Sequence, residues 1–281
     1  MKFTMKFIKA QAAGNSYIYV FDYEEKIKNP NELARKVSCV KFGIGADGLV
    51  LLSKSKKADF KMRMFNSDGS EGKMCGNALR CAAMLKKEIC GLDYFSVETA
   101  SGVKQAFVKS YDKNRRCGFV SANIGVAYNF LVEKRLAEKV KKLFKVKPVF
   151  VEFVDVGNKH LVVYGNVKNA DYEVIGGLLQ KKEYFEGGIN AEFVEKLDAA
   201  FRVKVYERGS GVTLACGTGA GAVAFALIKN GVAERNEKIR LIFDGGEIFV
   251  FVNGKNEMII SGETKVILEG EYYENRDERG L

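Results

Sequence analysis

Two cysteines 141 residues apart sit in matching settings: Met74-Cys75-Gly76-Asn77-Ala78 and Ala215-Cys216-Gly217-Thr218-Gly219. Each follows an alternating apolar stretch and a glycine-containing turn, and each precedes a helix-like run. Upstream the match continues at the same offset, where Met64-Phe65-Asn66-Ser67-Asp68-Gly69-Ser70 lines up with Val205-Tyr206-Glu207-Arg208-Gly209-Ser210-Gly211. Downstream it returns with a few residues' slippage, Ser96 to Val103 resembling Leu241 to Ile248. Internal self-similarity of this kind marks a repeated supersecondary unit. The chain therefore reads as two diverged copies of one unit, each presenting a thiol at a helix start. Two such units facing each other would set a thiol on either side of a cleft. That is the arrangement needed to take a proton from one face of a carbon and return one to the other.

Periodicity places the elements around these motifs. In the first copy a short helix is expected from Asn31 to Cys39 after Pro30, with strands at Leu49–Leu52 and Phe60–Phe65. A helix follows from Asn77, read as its N-cap, to Lys87, then strands at Phe95–Glu98 and Val103–Val108. The second copy repeats the plan with strands at Phe150–Val154 and Leu161–Tyr164 and a short helix from Asn190 to Leu197. After a strand at Phe201–Tyr206, its cysteine helix stops at Asn230-Gly231. No low-complexity linker separates the copies. The boundary is expected near Ser121 to Ala127, dividing residues 1–124 from 125–263, and the polar end through Leu281 is expected to fray.

Composition narrows the function classes. A hydrophobic share of 47% with 28% charged residues is that of a globular protein, and no apolar run approaches a membrane span. Met1 to Lys6 has no signal-peptide core, so a cytoplasmic protein is expected. The six cysteines include no CxxC pair, and with His160 the only histidine a zinc site is not expected. Cys39, Cys81, Cys90 and Cys117 read as small hydrophobes. The net charge of +10 comes from lysines spread along the chain without interleaved aromatics, which argues for a solvated surface and against nucleic-acid binding.

At each cysteine motif the sulfur would lie beside unpaired N–H groups and the positive end of the helix dipole, which lowers a thiol pKa. The same N–H groups can bind a carboxylate, and Gly76 and Gly217 let a ligand approach the backbone. A thiolate on one face and a thiol on the other could move an α-hydrogen without pyridoxal phosphate, with the helix starts stabilising the growing negative charge.

With these residues in view, the chain resembles the diaminopimelate epimerase family. The resemblance rests on Gly14-Asn15, Gly43-Ile44-Gly45-Ala46-Asp47-Gly48, Phe65 to Ser70, Met74 to Asn77, Gly157-Asn158-Lys159-His160, Asn190-Ala191-Glu192-Phe193, Tyr206 to Gly211 and Ala215 to Ala220. It implies an α/β (α+β) fold of two pseudo-symmetric halves. Each half is a mixed sheet wrapped around a central helix, the active site lies in the cleft between them, and a C-terminal strand, about 264–281, returns to the first half. It implies Cys75 and Cys216 as the acid/base pair, supported by His160 and Glu207, with no metal and no organic cofactor. Gly76, Asn77, Gly217 and Thr218 would hold the reacting carboxylate of a small amino-acid substrate. Asn66, Asn158, Asn190 and Arg208 would hold its far end, with Asn15 lining the same cleft, and a homodimer is expected.

Plain alternatives stand beside these roles: Arg208 as a surface ion-pair partner, Glu207 as its partner, the asparagines as turn residues, His160 as a core histidine. Ser16, Ala78, Lys159 and Val212 depart from the family pattern. They leave open a second reading, a racemase of a different amino acid by the same two-thiol mechanism. A single-carboxylate isomerase would not explain two matched cysteines, and the lack of a CxxC pair counts against a thiol-redox protein.

Overall fold

The alternating stretches of the first copy become strands in the computed structural model, which describes residues 2–167 and 171–275. They are β1 (Lys2–Ala12) and β2 (Asn15–Phe21), helix α1 (Pro30–Ser38), then β3 (Gly48–Ser53), β4 (Phe60–Asn66) and β5 (Glu71–Gly72). Helix α2 (Gly76–Cys90) and strands β6 (Tyr94–Thr99), β7 (Gly102–Asp112) and β8 (Cys117–Val126) follow. The second copy comprises β9 (Tyr128–Asn129), α3 (Lys134–Lys141), β10 (Phe150–Asp155), β11 (Lys159–Tyr164), α4 (Tyr172–Leu179), β12 (Asn190–Lys196), β13 (Phe201–Glu207) and β14 (Gly211–Thr213). It ends with α5 (Gly217–Lys229), β15 (Lys238–Phe243), β16 (Gly246–Val252) and the long β17 (Glu257–Asn275).

The chain divides into two compact units, Met1–Val120 with Glu263–Leu281, and Ser121–Gly262. Both changes of unit fall inside strands, within β8 and within β17, and Gly125 lies inside β8 with φ +104°. In the first unit β1 pairs with the returning part of β17, from Lys2 opposite Asn275 to Gln11 opposite Lys265. The expected fraying of the extreme C-terminus concerns residues 276–281, which lie outside the described residues.

One order of strand pairings occurs twice. In the first unit β1–β2 is antiparallel, β2–β3 parallel, β3–β4 antiparallel, β4–β6 parallel and β6–β7 antiparallel. In the second unit β10–β11, β11–β12, β12–β13, β13–β15 and β15–β16 follow the same sequence of directions. Even the register is repeated: Phe60 lies opposite Val97, and Phe201 opposite Leu241. A short antiparallel strand, β5 or β14, turns the chain back from β4 or β13 before each cysteine helix.

Each sheet has both faces covered. In the first unit Ile18, Val20, Leu49, Leu51 and Phe65 pack with Leu33, Ala34 and Val37 of α1. The opposite face of β2 carries Tyr19, fully buried, whose hydroxyl donates to Ala78 O of α2 at 3.2 Å. The second unit packs Leu161, Val163, Ala191 and Phe193 against Val140 of α3 and Ile175 and Leu179 of α4. Helices α2 and α5 are central: Gly76–Leu85 is buried throughout, as are Gly217 and Gly219 to Leu227. A helix enclosed on all sides is largely apolar all round, and in α2 the buried exceptions are Asn77 and Arg80, hydrogen-bonded to each other. Small residues (Ala78, Ala82, Ala83; Ala220, Ala222, Ala224) allow the sheet to close on it. The fold is α/β, two similar halves each built as a sheet around a helix.

Two expectations need correction. The segment from Asn190 is not a helix but strand β12, parallel to β11 and antiparallel to β13. Its first five residues are all buried, including Glu192. A central strand covered on both faces shows no alternation, so its pattern does not distinguish strand from helix. Asn77 is not the N-cap of α2; Cys75 is, with φ −133° and ψ 123°. Asn77 lies one residue inside the helix, and its side chain serves Arg80 instead of a backbone N–H.

Candidate active site

The turn between β5 and α2 delivers Cys75 in extended conformation, and its carbonyl accepts the first helical hydrogen bond, from Leu79 N at 2.9 Å. The half-buried thiol lies 3.5 Å from Asn15 Oδ1, positioned to donate to it. Asn15 is fixed from the other side, its Nδ2 donating to Asp47 Oδ2 at 3.0 Å while Ser16 N donates to the same oxygen at 2.6 Å. Asn66, at the end of β4, gives its Nδ2 to Ser70 Oγ at 2.9 Å, bracing the turn that leads to the cysteine. Gly76 and Asn77 supply first-turn N–H groups with no partner inside the helix.

In the second unit Cys216 is likewise the extended N-cap of its helix, with φ −125° and ψ 121°. Its sulfur accepts from Gly219 N at 3.3 Å and lies 3.4 Å from Thr218 Oγ1. A polar chain continues from there: Asn158 Nδ2 donates to Thr218 Oγ1 at 3.3 Å, Asn158 Oδ1 meets His160 Nε2 at 3.1 Å, and His160 Nδ1 meets Glu192 Oε1 at 2.7 Å. The imidazole thus bridges Asn158 and Glu192, one ring nitrogen to each. His160 and Glu192 are both fully buried, and Glu192 Oε2 has no hydrogen-bond partner.

Close approach explains Gly219. A Cβ there would lie 2.4 Å from Glu192 Oε1, so only glycine admits the carboxylate beside the start of α5. Glu207 stands at the end of β13 and accepts from Thr213 Oγ1 at 2.6 Å. It does not pair with Arg208, whose guanidinium is exposed and has no carboxylate partner among the described residues. The Arg208 backbone is anchored, its N–H donating to Asn190 Oδ1 at 3.0 Å while Asn190 Nδ2 donates to Lys159 O at 3.0 Å. Both ends of the Asn190 amide are thus committed to backbone.

Electrostatics at Cys216 run against the expectation of a lowered pKa. Burial pushes the thiol well above its ordinary value, and the neighbouring Glu207 and Glu192 push in the same direction. The Thr218 hydroxyl and Gly219 N–H oppose them without prevailing. Desolvation and two carboxylates outweigh one helix start. Glu207 is also raised, chiefly by burial, against the Thr213 hydrogen bond that favours its ionised form.

The structure gathers Asn15, Gly76 and Asn77 around Cys75, and Asn158, His160, Glu207, Gly217 and Thr218 around Cys216. Glu192 is the member that motif reading passed over as an acting group. Its signal was a charged residue set between Ala191 and Phe193, two positions after the motif asparagine Asn190. Of the departures from the family pattern, Ala78 is buried in α2, Lys159 lies over the Phe130 ring at 5.1 Å, and Val212 is exposed on β14. Among the described residues no group of three or more His, Cys, Asp or Glu could hold a metal ion, and no helix is long and apolar enough to cross a membrane.

Solved structures with this architecture include the Bacillus anthracis phenazine biosynthesis protein of the PhzF family, with a TM-score of 0.72 at 16% identity, covering 96% of this chain and 99% of that one. A hydroxyproline epimerase from Agrobacterium vitis matches with a TM-score of 0.69 at 15% identity, covering 98% and 93%. These define the class: a two-halved fold shared with racemases and epimerases. The family profile of diaminopimelate epimerase matches residues 7–128 and 152–268. The diaminopimelate epimerase of Acetivibrio thermocellus is 41% identical over 281 residues, 95% of this chain and 98% of that protein. That of Methanococcus maripaludis strain C5 is 40% identical over 285 residues, 95% and 99%. The chain belongs to the diaminopimelate epimerase family and is an isomerase.

Proposed function

We propose that the protein interconverts LL- and meso-diaminopimelate, in lysine and peptidoglycan precursor biosynthesis, by proton transfer between two cysteines and the substrate α-carbon. The observation that carries this reading is the repeated N-cap: Cys75 and Cys216 each begin the buried central helix of their own unit. One sulfur, as thiolate, takes the α-hydrogen and becomes a thiol. The carbanion then receives a proton from the other thiol on the opposite face, leaving that sulfur as the thiolate. No electrons are gained or lost, and the roles exchange with the direction of reaction.

The first-turn N–H groups of Gly76, Asn77, Gly217 and Thr218 bind the reacting carboxylate and stabilise its growing charge. Arg208, with a free guanidinium on an anchored backbone, clamps the distal carboxylate bidentately. Asn190 acts by fastening Arg208, Asn66 and Asn158 serve the distal amino-acid end with it, and Asn15 lies beside Cys75. Glu207 and the His160–Glu192 pair govern the protonation of Cys216. The thiol chemistry suits the reducing cytoplasm, and a homodimer is the assembly proposed.

The experiment is proton NMR of LL-diaminopimelate in D₂O with fully reduced protein. Loss of the α-proton signal with appearance of the meso isomer supports the reading. Exchange only with another amino acid would keep the thiol pair and transfer the substrate, the second reading favoured by Ser16, Lys159 and Val212.

A further inference from the structure

Helix α4 is capped at its C-terminal end by Gln180, whose side chain folds back over the last turn. Its Nε2 donates to Gly176 O and to Ile189 O, each at 2.9 Å, tying the helix end to the entry of β12. Two carbonyls need donors, which fixes the amide with its nitrogen toward them and its oxygen away. That oxygen, Oε1, is shielded from solvent and has no hydrogen-bond partner. A buried acceptor left unpaired is costly, so this position calls for a donor that arrives from a neighbouring group.

Gly188 locates that donor. A Cβ built on it would stand 2.3 Å from Gln180 Oε1 and 3.2 Å from Arg208 Cγ. The orphan oxygen and the arginine stem thus face each other across the bare backbone of Gly188, separated by no more than those two spans laid end to end. In an arginine side chain Nε lies two bonds beyond Cγ, so a change of rotamer brings its N–H to the oxygen. The guanidinium is exposed and makes no hydrogen bond or ion pair among the described residues, while the Arg208 backbone is held by Asn190. Only the side chain has to turn. With Nε committed, Nη1 and Nη2 remain side by side as a planar fork that matches a carboxylate. An acceptor that holds Nε also removes part of the rotamer freedom otherwise lost on binding.

We propose that Gln180 is a positioning residue: its Oε1 accepts from Arg208 Nε when the guanidinium turns to the distal carboxylate of the substrate, aiming the two Nη groups at it. The assignment rests on the Arg208 clamp of the proposed function and adds the group that orients it.

The test is a double-mutant cycle of Gln180→Met and Arg208→Ala, read as the rate of α-proton exchange of LL-diaminopimelate in D₂O against substrate concentration. Gln180→Met alone is expected to raise KM about tenfold, the weight of one charge-assisted hydrogen bond, with kcat within about twofold. Added to Arg208→Ala it should change kcat/KM by less than about twofold, because the group it orients is gone. A Gln180 that only fastens α4 to β12 would lower kcat/KM equally in both backgrounds, which overturns the proposal, as does an unchanged KM in the single variant. Should Gln180→Met not fold, Gly188→Ala takes its place in the cycle, since its methyl would stand between the two groups. A loss of kcat/KM confined to the Arg208-containing background supports the proposal, and any other pattern overturns it. Failure of the underlying reading has separate signatures: an unchanged KM in Arg208→Ala removes the clamp, and survival of exchange in Cys75→Ala removes the two-thiol step.

Discussion

Removing either sulfur tests the two-base reading at the scale of single residues. Cys75→Ala or Cys216→Ala is expected to abolish epimerisation while leaving the circular dichroism spectrum intact, since one face of the substrate loses its proton-transfer group. Arg208→Ala should raise KM by an amount worth about 2 kcal/mol with little change in kcat, because its exposed guanidinium has no carboxylate partner among the described residues to lose. Steady-state kinetics on the diacid substrate would decide this, and an unchanged KM removes Arg208 from the clamp. Glu207 yields a pH prediction. Its folded pKa is raised above the ordinary 4.5, so it stabilises the fold fully below that value, and the contribution is lost as pH rises through the raised pKa. Glu207→Gln should flatten the fall in melting temperature on that alkaline side. Cysteines 75 and 216 were legible as a pair from the motif alone, because a repeated Cys-Gly at a helix start is a local pattern. The raised pKa of Cys216 was not, because it depends on burial and on Glu207 and Glu192, carried beside it by β13 and β12.

At the scale of elements, the central position of β12 decides several features together. It places Glu192 against His160 through the parallel register in which His160 lies opposite Asn190, and it lets Asn190 anchor Arg208. Its helix-like reading failed because a strand flanked on both edges and covered on both faces buries consecutive residues, erasing the period-two signal. Helix α4 depends on a similar closeness: a Cβ at Gly176 would lie 2.3 Å from the Tyr206 ring on β13. Gly176→Ala is therefore expected to destabilise the protein by about 1–3 kcal/mol through overpacking, read from urea unfolding. Since Tyr206 immediately precedes Glu207, activity should fall as well; unchanged stability would mean that α4 shifts freely.

At the scale of the whole molecule, the chain returns to its beginning. Strand β17 pairs with β1 along ten positions from Lys2 to Gln11, and Tyr272 packs against the cluster containing Met5 and Phe7. A chain ending at Gly262 should lose protection of the first unit's amides in hydrogen exchange, while the second unit, which is complete from Ser121 to Gly262, keeps its own. Equal protection in both would show that the returning strand contributes little. The sequence by itself determined the duplication, the strand–turn–cysteine–helix order and the two thiols, because each is written in local periodicity, turn residues and internal likeness. Only the tertiary structure decided the strand conformation of β12, the burial of Arg80, Glu192 and His160, and the raised pKa of Cys216. Desolvation and charge act through space, and neighbours far apart along the chain leave no local mark in its sequence.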